Sequence, residues 1–381
     1  MRKPEVLVFV DWYKPGYKGG GPVRSMINLV DHLGERIHFH FVTSDTDYTA
    51  TEPYPGITPD RWTALPSGEQ VWYASRAQAD ARAWERLITE RNWDAIYVNG
   101  LFSFRYSILP LWCSQRVKAR RIVAPRGMLL PGPMGQGSLK KQVFLALARG
   151  LGLYRGVEFH STSAEETKSI QALVHRKAVV HEVPNLARKR SASARIQRPK
   201  VPGEARLVNV VRIATEKNIH LIIASLRNVK GRVVFDLFGP VHHQAYWEQC
   251  RTAIASLPSN IGFTYHGPVP SEEVPAVLER PYHALFMPNE GDNFGHTMLE
   301  AMSAGLPLLI SDRTPWRGLQ QQHAGWDLPL NGAAVFTSAL QELIDMDQHA
   351  FDRLSDGAFA IGHRFGSDRS PIDRTAALFG A

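Results

Sequence analysis

Two carboxylates eight residues apart, Asp292 and Glu300, enclose the run Asn293-Phe294-Gly295-His296-Thr297-Met298-Leu299. A glycine-containing turn that enters a helix suits a phosphorylated ligand. The first N–H groups of a helix point outward, and its dipole favours negative charge there. Glu300 then falls one to two turns into the helix, where a carboxylate reaches ligand hydroxyls. The plainer reading of the same residues is a helix start capped by Asp292 or Asn293. Ala301-Met302-Ser303-Ala304-Gly305 ends the helix, and residues 306–310 read as a short buried strand.

Two further segments carry groups suited to phosphate. Arg212 and Lys217 bracket a helix start after the apolar run 207–211. A planar guanidinium fork and a point-charge ammonium together match a diphosphate. Lys18-Gly19-Gly20-Gly21-Pro22 follows the apolar run 6–10 and opens a helix, with Arg24 close behind. Three glycines let the backbone approach an anion closely. Their spacing is not the Gly-x-Gly-x-x-Gly of dinucleotide enzymes, and Asp45 is the acidic residue near the end of the second strand. Asn99 and Arg126 each end a strand, at the edge where open α/β sheets bind ligands. They are candidates for acceptor contact or leaving-group support, and equally for a turn role.

The elements that must hold these groups alternate. In the first half, strands are expected over residues 6–10, 38–43, 70–73, 95–98, 121–124, 157–160 and 179–183. Helices are expected between them over 23–33, 78–90, 104–115, 139–152 and 164–174. A polar, basic, Pro-bearing stretch over 184–203 interrupts the rhythm and reads as a linker. The pattern then restarts, with strands over 207–211, 233–238, 262–266, 284–287 and 307–310. Helices are expected over 217–226, 243–254, 270–278, 295–303 and 332–344. Strand–helix alternation of this kind specifies open parallel sheets with helices on both faces, here twice over.

A chain of 381 residues, 44% hydrophobic, exceeds one ordinary core and fits two domains. Cys113 and Cys250 lack metal-ligand spacing and read as packing residues of a reducing compartment. The pairs His242-His243 and His38/His40 also lack the spacing of a metal set. The run 6–10 leads straight into Asp11-Trp12-Tyr13-Lys14, which is unlike a signal peptide, and no later run reaches the ~20 residues of a membrane span. Charge is divided unevenly. Residues 1–190 hold 27 Lys and Arg against 17 Asp and Glu, so the whole net charge of +8 belongs to the first half. Between Asp94 and Glu158 there are ten basic residues and no acidic one, which points to an anionic partner. The expected helix over 139–152 combines Leu139, Val143, Phe144, Leu147 and Leu151 with Lys140, Lys141 and Arg149. It reads either as an anionic-membrane surface or as a packed helix with basic flanks.

Together the segments resemble the family 4 retaining glycosyltransferases, a branch of the group 1 glycosyltransferases. Their GT-B fold has two facing Rossmann-like domains and an active site in the interdomain cleft. The likeness runs along nearly the whole chain. Gly19–Gly21 resembles the family's N-terminal loop, and Arg212 to Lys217 its Gly-Arg-Leu-x-x-x-Lys segment, with Val211 where Gly is usual. Phe238-Gly239 resembles the strand end beside the nucleotide base, and Val183-Pro184-Asn185 the turn closing the first domain. Asp292 to Glu300 resembles the E-x7-E motif, with Asp292 where Glu is usual, and Glu290 lies two residues too far from Glu300 to replace it.

The resemblance implies roles. Arg212 and Lys217 neutralise the departing diphosphate, Glu300 holds the ribose hydroxyls, and Asp292 with Asn293, Phe294 and Gly295 addresses the transferred sugar. Gly19, Gly20, Gly21 and Gly239 complete the donor site, without metal or cofactor. It further implies an acceptor domain over residues 1–186, a linker over 187–204 and a donor domain over 205–365. A C-terminal helix over 366–381 would return to the first domain. The expected protein is a cytoplasmic hexosyltransferase, peripheral at the inner face of the plasma membrane. It would use a nucleotide-sugar donor and an anionic or lipid-linked saccharide acceptor, in polysaccharide or lipopolysaccharide synthesis. Three other readings remain. One is a non-catalytic nucleotide-sugar-binding protein on a decayed scaffold, motivated by Asp292. Another is a nicotinamide-dependent oxidoreductase, which requires its cofactor on residues 1–190. The third, nucleic-acid binding, lacks the interleaved aromatic platform of such surfaces.

Overall fold

The computed structural model describes residues 2–130, 138–189 and 194–381, Ser138 by its backbone alone. Residues 190–193, inside the stretch read as a linker, lie outside the described residues. The chain forms two compact units, one of Met1–Lys189 with Arg369–Ala381 and one of Arg190–Asp368.

The first unit runs β1 (Glu5–Val10), α1 (Gly21–Leu33), β2 (His38–Ser44), β3 (Trp62–Ala64), β4 (Gln70–Ala74), α2 (Ala81–Thr89) and β5 (Ala95–Asn99). It continues through α3 (Leu109–Cys113), β6 (Arg120–Ala124), α4 (Ser138–Gly150), β7 (Val157–Ser161), α5 (Ala164–Leu173) and β8 (Val179–Glu182). The sheet order is β3-β4-β2-β1-β5-β6-β7-β8, parallel except for β3, which pairs antiparallel with β4 at one edge. Period-2 alternation splits β1 between two cores. Leu7 and Phe9 pack on one face with Trp84, Val98 and Phe159, and Val6 and Val8 on the other with Met26, Phe41 and Tyr97. Burial on both faces is why these strands read as unbroken apolar runs.

The second unit runs β9 (Glu204–Val210), α6 (Ile219–Leu226), β10 (Arg232–Phe238), α7 (Gln244–Ala255), β11 (Ile261–Tyr265), α8 (Val274–Leu278) and β12 (Ala284–Met287). It continues through α9 (His296–Ser303), β13 (Leu308–Ser311), β14 (Gly325–Leu328), α10 (Ala333–Asp345) and α11 (Gln348–Ser367). Its all-parallel sheet has the order β11-β10-β9-β12-β13-β14 around a single large core. The final helix, α12 (Ser370–Leu378), belongs to the first unit. There the Phe379 ring lies 5.9 Å from Phe39 and 5.3 Å from Tyr97, and Arg120 donates to the Leu378 carbonyl at 2.8 Å. Among the described residues no helix is long and apolar enough to cross a membrane.

Several elements depart from the sequence expectation. The stretch 104–115 is a π-helical turn (Phe104–Ile108), then α3, then a 3-10 turn begins at Ser114. The helix expected over 217–226 begins only at Ile219, because Asn218 turns left-handed (φ 53) and detaches Lys217 into a 3-10 turn. α8 starts at Val274 rather than at Pro270, with Pro275 in its first turn, where a missing N–H costs nothing.

Residues 195–200 are not a solvated tether. Arg198 is 1% exposed and donates to the carbonyls of Ala304 (2.8 Å), Leu278 (3.0 Å) and Ile196 (3.1 Å). Leu278 ends α8 and Ala304 follows the last turn of α9, so one guanidinium satisfies orphan carbonyls of two helices. Burial lowers its pKa to about 10, which leaves it charged at neutral pH. Arg198→Ala strands at least two buried carbonyls, so we expect a loss of about 3 kcal/mol or more in chemical denaturation followed by circular dichroism. Arg198→Lys, lacking the fork, is expected to restore less than half of that. A variant as stable as the wild type would remove Arg198 from this role.

Candidate active site

Three segments of the second unit meet at the C-terminal ends of its central strands. Residues 211–218 follow β9, residues 239–243 follow β10, and residues 288–295 follow β12. Backbone bonds join the first two. Val211 N–H donates to Phe238 O (2.9 Å), Ile213 N–H to Pro240 O (2.9 Å) and His242 N–H to Ile213 O (3.0 Å). Gly239 is where they touch. Its φ is 136°, and a Cβ there would lie 1.8 Å from the Val211 carbonyl oxygen. Only glycine permits both the backbone angle and the approach.

Residues 211–218 are tied to residues 288–292 by three contacts. Glu290 N–H donates to Glu216 O (2.9 Å), and the Asn218 amide to Pro288 O (2.8 Å). Lys217 Nζ faces Asp292 Oδ2 at 3.7 Å. Arg212 lies beside Glu216 at 3.6 Å and His242 Nδ1 at 3.4 Å. Arg212, Lys217 and Asp292 thus belong to one connected cluster. The N-cap of α9 is Gly295, with no side-chain cap bond, so neither Asp292 nor Asn293 caps the helix, and Asp292 instead braces the turn before it. Its Oδ1 accepts from Gly295 N–H (2.7 Å) and Phe294 N–H (3.3 Å), fixing the turn into α9. Gly295 precedes that helix with φ 74°, and a Cβ there would sit 2.8 Å from Met298 Sδ. The Phe294 side chain turns away into a cluster with Trp316 (6.1 Å) and Phe365 (5.6 Å), and Trp316 Nε1 donates to its carbonyl at 2.8 Å. Asn293 is half-buried at the same turn. Glu300 lies on the second turn of α9, about 6 Å along the axis from His296, and is 8% exposed.

Sequence reasoning missed Asn209 and Asn289. Both are fully buried, and neither amide has a hydrogen-bond partner for its side-chain oxygen or nitrogen among the described residues. Such groups cost about 1–3 kcal/mol each, and they place polarity where open α/β sheets receive ligands. The available signal was an Asn inside the otherwise apolar run Leu207-Val208-Asn209-Val210-Val211.

The other candidates lie in the first unit. Gly21 begins α1, Gly20 precedes it with φ 71°, and Gly19 packs near Trp12 and Val23. Beneath the loop Asp47, 8% exposed, accepts from Tyr17 N–H (3.2 Å) and Lys18 N–H (3.3 Å). Asn99 and Arg126 are brought together. Arg126 donates to Asn99 Oδ1 (2.7 Å), Tyr97 Oη (2.7 Å) and Asn185 Oδ1, from a left-handed backbone (φ 55). The Asn99 amide nitrogen has no partner among the described residues. Tyr97 in turn meets His160 Nδ1 at 2.7 Å, and His160 Nε2 meets Val183 O at 2.9 Å. A carbonyl only accepts, so Nε2 carries the proton and Nδ1 accepts from Tyr97. Burial, then the Arg126 charge, lowers the His160 pKa to about 3. Among the described residues no group of three or more His, Cys, Asp or Glu is placed to hold a metal ion.

Residues 191–349 match the family model described as glycosyl transferases group 1. Solved structures share the fold along nearly the whole chain. HepE of Anabaena in complex with UDP-glucose is 16% identical, with TM-score 0.69 and 98% of each chain covered. Sucrose-phosphate synthase of Thermosynechococcus elongatus is 16% identical, with TM-score 0.70, covering 99% of this chain and 98% of the other. WaaG, a glycosyltransferase involved in lipopolysaccharide biosynthesis, is 12% identical, with TM-score 0.65, covering 99% and 100%. No curated protein matches the chain in sequence. The resemblance to group 1 glycosyltransferases therefore stands, and the fold is GT-B.

Two stability measurements test the geometry. Asp292→Ala removes the acceptor for the Phe294 and Gly295 N–H groups in the turn before α9 and is expected to cost about 1 kcal/mol, whereas Asp292→Asn keeps an acceptor and is expected to cost less. Equal stabilities for all three proteins in urea titration would remove Asp292 from this role. His160 is neutral when folded, so its contribution is fully present above its ordinary pKa of 6.5 and is lost as pH falls toward 3. The loss is about 1.4 kcal/mol per pH unit. His160→Gln is therefore expected to be less stable than the wild type at pH 7.5, with the gap narrowing steadily toward pH 4 in thermal melts. A constant gap would contradict the neutral assignment.

Proposed function

We propose that this protein is a family 4 retaining glycosyltransferase. It moves a sugar from a nucleotide-diphosphate donor to a saccharide or lipid-linked saccharide acceptor. The observation that carries the reading is the meeting of Arg212, Lys217 and Asp292 at the ends of β9 and β12, within the segment that matches the family model. The UDP-glucose complex of HepE supports a nucleotide-sugar donor. The lipopolysaccharide outer core galactosyltransferase WaaB (14% identical, TM-score 0.56) and WaaG support cell-surface saccharide synthesis.

In this reading the donor diphosphate lies against Arg212 and Lys217, which stabilise the charge developing as the sugar departs. Preorganised charge of this kind is commonly the largest catalytic contribution. It does the work for which other transferases use a divalent ion, so no metal or cofactor is required. Glu300 holds the ribose hydroxyls. Asp292 Oδ2 and the Asn293–Gly295 backbone address the sugar, and Gly239 lets the chain pass close to the base. The Gly19–Gly21 loop of the first unit is a second place where backbone can come close to phosphate. Asn99, held by Arg126, offers its amide to the acceptor. The acceptor oxygen bonds to the anomeric carbon on the face from which the phosphate oxygen departs, and its proton passes to that oxygen, so configuration is retained. The enzyme works in the cytoplasm, at the inner face of the plasma membrane.

One observation favours a second reading, that of a binding protein without transfer. Asp292 is one methylene shorter than the family's Glu, and one of its oxygens is already taken by the turn before α9. The two readings separate in one experiment, which pairs thermal shift across a nucleotide-sugar panel with a transfer and donor-hydrolysis assay. We expect one nucleotide series to raise the melting temperature, since a ligand bound to the folded state stabilises it. Lys217→Ala and Arg212→Ala are each expected to lower kcat about 10²–10³-fold. Glu300→Ala is expected to act mainly on the donor KM. Wild-type turnover in all three variants would sink the site assignment, and binding without transfer across a broad acceptor panel would select the second reading.

A further inference from the structure

We propose that Trp316 is a positioning residue for the donor sugar and acts through Asp292. The inference rests on the donor-site reading and adds to that site a residue from outside the Asp292–Glu300 motif. Trp316 lies on the segment that follows β13. Its indole Nε1–H donates to the Phe294 carbonyl at 2.8 Å. The same peptide group donates its Gly295 N–H to Asp292 Oδ1 at 2.7 Å. A trans peptide is planar, with its C=O and N–H opposed. Trp316 and Asp292 therefore grip one rigid group from opposite ends. A turn of the carboxylate gives up its bond to the peptide, and a tilt of the peptide gives up the indole bond. Bonds linked in this way also polarise one another.

The indole is itself held in place. Its ring lies 6.1 Å from Phe294 and 5.6 Å from Phe365 on α11, and those two rings are 5.6 Å apart. All three contacts are tilted or edge-on, as aromatic rings prefer. The Trp316 backbone N–H donates to Thr314 Oγ1 at 3.3 Å. Gly295 admits the indole, since a Cβ there would lie 3.0 Å from Trp316 Nε1. With Oδ1 fixed, Asp292 Oδ2 is left facing Lys217 at 3.7 Å. The donor-site reading turns this second oxygen on the transferred sugar, and it places Arg212, Lys217 and Glu300 on the nucleotide. Loss of the indole N–H is therefore expected to tell on the sugar and to spare the nucleotide, which mere loss of packing would not do.

Trp316→Phe keeps a ring in the cluster and removes the N–H. It is compared with the wild type by calorimetric titration, using the nucleoside diphosphate that the nucleotide-sugar panel selects and then the nucleotide sugar itself. Affinity for the first is expected to be unchanged, and binding of the second about fivefold weaker. kcat for transfer is expected to fall about tenfold. Phe365→Leu keeps the N–H but loosens its seat, and is expected to show the same selective loss to a smaller degree. Trp326→Phe is the control. It removes another indole bond of the second unit, from Nε1 to Glu342 Oε2 at 3.1 Å, and is expected to keep both affinities and kcat. Equal losses for nucleotide and nucleotide sugar, or a Trp316→Phe protein that matches the wild type, overturn the proposal. A second measurement needs no donor. In urea titration the losses of Trp316→Phe and Asp292→Ala are expected not to add in the double variant, because both act on one peptide group. Additive losses in a protein that binds and transfers overturn the Trp316 assignment alone. A wild type that binds no nucleotide overturns the donor-site reading, and the role of Trp316 with it.

Discussion

The two oxygens of the Asp292 carboxylate face in different directions, and the order of the site follows from that. Oδ1 takes the N–H groups of Phe294 and Gly295 and sets the direction in which α9 leaves β12. Oδ2 is thereby turned toward Lys217, on the segment that leaves the neighbouring strand β9. One side chain thus couples the register of two strand ends. The coupling is possible because the sheet is parallel, so that all its strands deliver their C-terminal ends to one edge. The Gly239 turn and the Asn218 tether hold the same edge from either side. Arg198 fixes the far end of α9 through the carbonyl of Ala304. A helix held at both ends is a rigid platform for Glu300.

The first unit uses its charge differently. Much of the basic excess between Asp94 and Glu158 is structural. Arg120 pairs with Glu158 at 2.6 Å, Arg105 donates to Arg76 O at 3.0 Å, and Arg126 clamps Asn99, Tyr97 and Asn185. Lys141 lies over the Phe102 ring at 5.6 Å. Counting charges in the sequence therefore does not separate these internal contacts from charges left open to a partner. It understated how ordered the Arg126 network is. His160 stays neutral beside that guanidinium because burial and the neighbouring charge both oppose a second cation.

The parallel strands were legible because burial on both faces leaves continuous apolar runs, and the motif was legible because a turn into a helix needs particular residue types. What escaped reading depended on packing between distant segments. The 20-residue helix α11 carries Gly357 and Gly362, which argue locally against a helix. A Cβ on Gly357 would lie 2.1 Å from His323 O, and one on Gly362 2.4 Å from Ser303 N. Gly362 lets α11 pass close to the end of α9 and Gly357 lets it pass close to the backbone of Gln322 and His323 before β14, and the sequence shows their cost without their reason. Arg198 is a similar case. An Arg among Pro, Lys and Gln reads as linker, and only the position of two helix ends makes it a buried strap. Asn209 and Asn289 could be seen in the sequence, but not that both amides would be buried without partners.

The spacing of the charged pairs bears on the proposed anion site. Pairs elsewhere in the molecule range from 2.6 Å for Arg120–Glu158 to 3.9 Å for Arg232–Glu204. The pairs of the candidate site lie toward the loose end, at 3.7 Å for Lys217–Asp292 and 3.6 Å for Arg212–Glu216. Lys217 is 8% exposed, and an ammonium taken out of water costs free energy unless a carboxylate lies near it. A carboxylate at hydrogen-bond distance would instead compete with every phosphate oxygen that approached. Asp292 sits between these limits because its other oxygen is anchored to the start of α9 and restrains it from swinging closer. Glu at this position, one methylene longer, would bring the charge nearer to Lys217 or carry it past toward a bound sugar. The shorter side chain keeps a carboxylate near the ammonium without closing on it, as the diphosphate role proposed for Lys217 requires.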